Sequence, residues 1–105
     1  MNLEIDIPDL PFKKPVEVER ILQLGFDQRE GMDPVEARER IQEMAVSLAD
    51  AYVNTKNADY EGCVAVIASA LSETGAFLGG KFGQTMVAES ELSAHQACRL
   101  DFPEE

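Results

Sequence analysis

Residues 62–80 carry a single charge, Glu73. No other feature of this chain restricts its fold as much. Tyr60, Cys63, Val64, Ile67, Ala70, Leu71, Thr74 and Leu78 recur at intervals of three and four, so the stretch predicts a helix starting near Asp59 and ending near residue 78. A helix that is apolar nearly all round is either buried at the centre of a bundle or inserted in a membrane. Ser69, Ser72, Glu73 and Thr74 interrupt it, and it is barely long enough, which argues against a span. The expectation is a central, mostly buried helix. Gly75 and Gly79, four residues apart, are candidate helix-packing residues that let another helix approach closely.

The rest of the chain must supply its cover. Asp33 is a good N-cap and Pro34 suits the first helical position, with Glu36 three residues after the cap. Ala37, Ile41, Met44 or Ala45, Leu48 and Tyr52 then repeat at helical spacing, while Glu36 and Arg40 are placed to pair at i, i+4. Upstream, Val18, Ile21 and Leu22 form a short stripe after Pro15, and Gly25 is expected to end that helix. Downstream, residues 79–83 read as a flexible break before a weaker stripe of Met86, Val87, Leu92, Ala94, Ala97 and Leu100. The reading is mainly α, a small bundle of about four helices over approximately 15–24, 33–53, 59–78 and 85–100. Residues 1–14 form an extended arm in front of a single acidic helical domain over 15–105. In the arm, Leu3, Ile5 and Ile7 alternate with Glu4 and Asp6, which suits a short strand before Pro8 and Pro11.

Two cysteines are too few for a disulfide framework. If the last two helices form an antiparallel hairpin about residues 81–82, Cys63 and Cys98 reach a similar height. The start, MNLEIDIPDL, has no basic region leading into an apolar stretch, so it is not a secretory signal and a cytoplasmic location is expected. In that reducing setting free buried thiols are expected.

Charge sets the functional expectation. Twenty acids face nine bases, a net charge of −11. The excess lies after residue 40, where ten acids face three bases, against ten and six before it. Such a field repels nucleic acid and membranes and attracts basic protein surfaces. The partner-binding candidates are Glu43, Asp50, Asp59, Glu61, Glu89, Glu91, Glu104 and Glu105.

Catalytic and metal chemistry find little support. GAFLGGK at 75–81 matches part of a phosphate-binding loop, but Phe82 stands where the metal-binding hydroxyl belongs. His95 and Cys98, even when joined by Cys63 and Asp59 or Asp101, make a minimal set beside the paired clusters that zinc sites use. The pairs Asp59–Glu61 and Glu89–Glu91 point to different helix faces. No catalytic residue, metal or cofactor is therefore expected.

Residues 21–26, ILQLGF, resemble the first helix and Leu-Gly-Phe turn of ubiquitin-associated domains, with PVEARERI following as a second helix. Residues 27–32 intervene where that family turns at once, and no family function is carried over. The expected function is a non-enzymatic acidic interaction module. It would inhibit or regulate by occupying the basic surface of a nucleic-acid-handling protein, in the style of phage anti-defence inhibitors. Two alternatives are a helical homo-oligomer, in simplest form a homodimer, packed through the apolar helix, and a small metal-binding protein.

Overall fold

A computed structural model describes residue 7, residues 10–28 and residues 30–103. Among the described residues five helices follow one another: α1 (Val16–Asp27), α2 (Pro34–Tyr52), α3 (Tyr60–Leu78), α4 (Gly80–Ala88) and α5 (Ser90–Asp101). No strand occurs among the described residues.

The helix starts follow local chemistry. The Asp33 carboxylate accepts the Val35 amide at 3.2 Å, with Pro34 at the first position of α2. The Asp59 carboxylate accepts the Gly62 amide at 2.8 Å and caps α3. Each cap satisfies an amide that has no partner inside its helix.

Gly25 does not end α1. The helix runs on to Asp27, and Gly25 is buried on its inner face with Val18, Ile21 and Leu22. A Cβ built at Gly25 would lie within the Phe82 ring, 2.7 Å from Cζ. The glycine is therefore a seat for a large side chain of α4. The Leu-Gly-Phe segment that resembles a ubiquitin-associated turn is helix here.

The single helix expected over 85–100 is two. The chain bends at Glu89, which ends α4 with φ −95° and ψ 3°. Ser90 donates its hydroxyl to the Val87 carbonyl at 2.9 Å and opens α5. The expected break at 79–83 is narrower and ordered. Gly79 turns the corner at φ +67° with open space around it, a conformation side chains avoid. Phe82 and Gly83 already belong to α4 and are buried.

α3 is less buried than expected. Only 39% of its apolar window is buried, although by length and composition it is apolar enough to cross a membrane. It packs mainly on α4 and α5. α2 and α4 each touch all four other helices, and Ile41, Met44, Ala45, Leu48 and Ala49 of α2 are fully buried. The outer side of α3 remains uncovered, with Ala65, Ser69, Glu73, Ala76 and Phe77 exposed.

The hairpin register brings Cys63 of α3 and Cys98 of α5 together, with Cα atoms 6.0 Å apart. They are joined as a disulfide, so the expectation of free thiols is corrected. Opposed positions on two packed helices put both sulfurs in one gap. Of the N-terminal arm, Ile7 is buried, and Leu10 and Phe12 pack half-buried on the core. The strand expected at Leu3 and Ile5 lies outside the described residues.

Candidate interaction surface

Glu39, Glu43 and Asp50 follow one face of α2 at spacings of four and seven, so their carboxylates point outward on one side, with Val46 and Ser47 in the turn between Glu43 and Asp50. Glu17 of α1 joins them. Together they line an open groove of about 580 Å³ whose walls also include Arg40 and Val46. Arg40 pairs with Glu43 at 3.1 Å and, more loosely, with Glu39 at 3.7 Å. The expected Glu36–Arg40 pair is replaced by these two. Four carboxylates against one guanidinium leave the groove at −3. Arg40 is also only partly satisfied, since its Nε is buried without a partner.

The acid stripe continues past the groove. Asp50 faces Asp101, the last residue of α5. Burial, then a hydrogen bond with Asp50, then the charge of Asp50 push the Asp101 carboxyl up from 3.8 to about 6. The Oδ2 atom of Asp101 is buried and has no partner. Two ionised carboxylates cannot satisfy each other, because neither has a proton to donate. A proton held on Asp101 supplies the missing donor.

The other sequence candidates are dispersed. Asp59 is exposed but engaged as the cap of α3, and Glu61 is exposed in the first turn of that helix. Glu89 is half-buried at the α4–α5 joint, and Glu91 is exposed in the first turn of α5. Glu104 and Glu105 lie outside the described residues. Of the two packing glycines, Gly75 is buried against α4, where a Cβ would lie 2.6 Å from the Gly83 carbonyl oxygen. A Cβ built at Gly79 would meet nothing within 4 Å, so this glycine serves the corner instead. Glu17, Glu39 and Asp101 were missed by sequence reasoning. The stripe signal for Glu39 was present, at i−4 from Glu43. Glu17 and Asp101 arrive from other helices, which no spacing in α2 reveals.

A second polar group crosses the α3–α5 seam. The Tyr60 hydroxyl lies 2.6 Å from His95 Nδ1, and Arg99 Nη2 donates to the same hydroxyl at 3.2 Å. Arg99 also stands over the Tyr60 ring, 5.5 Å from its centroid. Arginine can only donate, so the hydroxyl accepts from Arg99, while the direction of its bond with His95 follows the imidazole tautomer. Among the described residues, no group of three or more His, Cys, Asp and Glu side chains is placed to hold a metal ion. Cys63 and Cys98, the thiols of the minimal zinc set, are joined to each other.

Comparison with protein-family models, with curated proteins and with solved structures finds no match.

Proposed function

We propose that this chain is a non-enzymatic, cytoplasmic interaction module that docks on the basic surface of another protein. The class of partner that fits is a protein whose own basic groove handles nucleic acid. Binding there would inhibit or regulate that partner by occupying the groove. The reading rests on one observation: Glu17, Glu39, Glu43 and Asp50 line one open groove in which Arg40 is the sole cation among the lining residues. Carboxylates in a row at helical spacing present the charge a phosphate backbone presents, and such complementarity governs encounter rate and salt dependence. A pulldown from lysate at low and high salt tests it. The expected partner is basic, and it is lost as salt rises past the range where exposed charges are screened. Glu43→Lys combined with Asp50→Lys is expected to abolish capture while leaving the fold intact. Retention of the partner at high salt, or by the reversed variant, overturns the reading.

A second reading, a homo-oligomer packed through α3, is favoured by the uncovered outer side of that helix. Phe77 there is 68% exposed, unusual for a large aromatic side chain. Light scattering at high protein concentration tests it, and a strictly monomeric mass counts decisively against it.

A further inference from the structure

We propose that Cys63 and Cys98 form a redox latch that fastens α5 to α3, with the dithiol and the disulfide both compatible with the folded bundle. The inference stands apart from the partner-binding reading. Both cysteines are completely buried, with Cα atoms 6.0 Å apart on facing helices. A buried thiol packs as a small apolar side chain, so reduction removes no hydrogen-bonding group that the core requires.

One further feature ties the same helices without sulfur, and a second ties α3 to α4, which leads into α5. At the same end, one turn before each cysteine, Tyr60 bonds His95, and Arg99 closes the pair from α5. At the other end, Gly75 meets Gly83 beside the corner that leads α4 back over α3. Reduction therefore loosens the seam rather than dismantling the fold. Most of the latch's effect falls on the unfolded chain, where it closes a loop between residues 35 apart.

The chemistry needs an oxidant of the small-molecule disulfide class. The Cys63 thiolate attacks that disulfide, forms a mixed disulfide and releases one thiolate. The Cys98 thiol loses its proton and attacks the Cys63 Sγ, displacing the second thiolate. Two protein thiols and one external disulfide become one bridge and two external thiols, with the two cysteine protons passed to the released thiolates. Because both sulfurs are shut from solvent, closure and reopening require the end of α5 to lift, and their rates follow that opening.

The test uses the full chain, reduced and then equilibrated in buffers of varied glutathione disulfide-to-thiol ratio. Alkylation under denaturing conditions followed by intact mass reads the bridge. The expected product is a monomer lighter by two hydrogens with neither cysteine alkylated. Its unfolding constant in urea titration is expected to fall several hundredfold, roughly, relative to the reduced chain. Sub-denaturing urea is expected to speed closure. The Cys63→Ala/Cys98→Ala variant is expected to unfold identically in both buffers. Should that variant not fold, amide exchange over residues 95–101 in the wild-type chain substitutes for it, with slower exchange expected after oxidation. Thiols that stay alkylatable at oxidising equilibrium overturn the proposal. Superimposable oxidised and reduced unfolding curves overturn it too, as does a reduced chain that has no cooperative transition.

Discussion

Replacing Gly25 by alanine sets two opposing effects against each other. Alanine in a helix interior is worth about 0.5–1 kcal/mol over glycine, so helix propensity alone makes Gly25→Ala stabilising. Packing opposes it. The new methyl group would enter the space of the Phe82 ring, and Phe82 is only 1% exposed, with no route outward. Overpacking of this kind costs about 1–3 kcal/mol, so the clash wins and a net loss of about 1–2 kcal/mol is expected. Phe82→Leu alone removes ring atoms from the core and is expected to cost roughly 1–2 kcal/mol. In the double variant the methyl group occupies space that the ring has left. The two losses are therefore expected to fall short of additivity by about 1–2 kcal/mol. Urea unfolding of the four proteins, followed by circular dichroism with slopes compared, measures the cycle. A stabilised Gly25→Ala, or losses that add to within about 0.5 kcal/mol, would refute the seat assigned to Phe82.

Three other outcomes follow from the same structure. Gly83→Ala places its Cβ against the Gly75 carbonyl, which is backbone and cannot change rotamer. A loss of about 3 kcal/mol is expected in thermal melts, whereas Gly31→Ala, with nothing within 4 Å, should stay within about 0.5 kcal/mol of wild type. Asp59→Ala removes the carboxylate that caps α3 and is expected to cost about 1 kcal/mol by urea titration, with Asp59→Asn retaining most of it. Asp101 holds its proton more tightly folded than unfolded, so its contribution is fully present below about pH 3.8 and is lost as pH rises through about 6. Asp101→Asn is expected to gain roughly 1 kcal/mol above pH 6, a value reduced for solvent access, and to flatten the slope between those limits. Parallel pH–stability profiles for the two proteins would remove the Asp50–Asp101 interaction from consideration.

What could be read from the sequence was whatever depends on near neighbours. Asp33 and Asp59 announced the starts of α2 and α3 because a cap acts within three residues. The stripe Ala37, Ile41, Leu48 and Tyr52 announced the inner face of α2 because burial imposes helical spacing. The misread positions depend on distant partners. Gly25 carries the local signature of a helix end, yet its role is set by Phe82, 57 residues later in the chain. The apolar count of α3 suggested a helix covered all round, but its neighbours α4, α5 and α2 leave the side with Ala65, Ser69, Glu73, Ala76 and Phe77 exposed. The bend at Glu89 has no glycine or proline to mark it. The site was half legible: Glu43 and Asp50 fell on one stripe, while Glu17 and Asp101 joined it only through packing.

Charge and apolar exposure pull the two functional readings in opposite directions, and salt separates them. A second copy of this chain brings another −11, so association through any face meets repulsion that salt relieves. The outer side of α3 minimises that repulsion locally, since Glu73 is the only charge between residues 62 and 80. Self-association through Ala65, Ala76 and Phe77 is therefore expected to strengthen as salt rises, because screening removes its opposing term while apolar burial is unaffected or enhanced. A basic partner on the Glu39–Glu43–Asp50 stripe gives the reverse, since screening removes its driving term. One salt series read by light scattering and by partner capture thus distinguishes the two surfaces. The surfaces occupy different helices, so Phe77→Ser is expected to change only the first curve and Asp50→Lys chiefly the second. If both variants moved both curves alike, the charge stripe and the apolar face would not be separate surfaces.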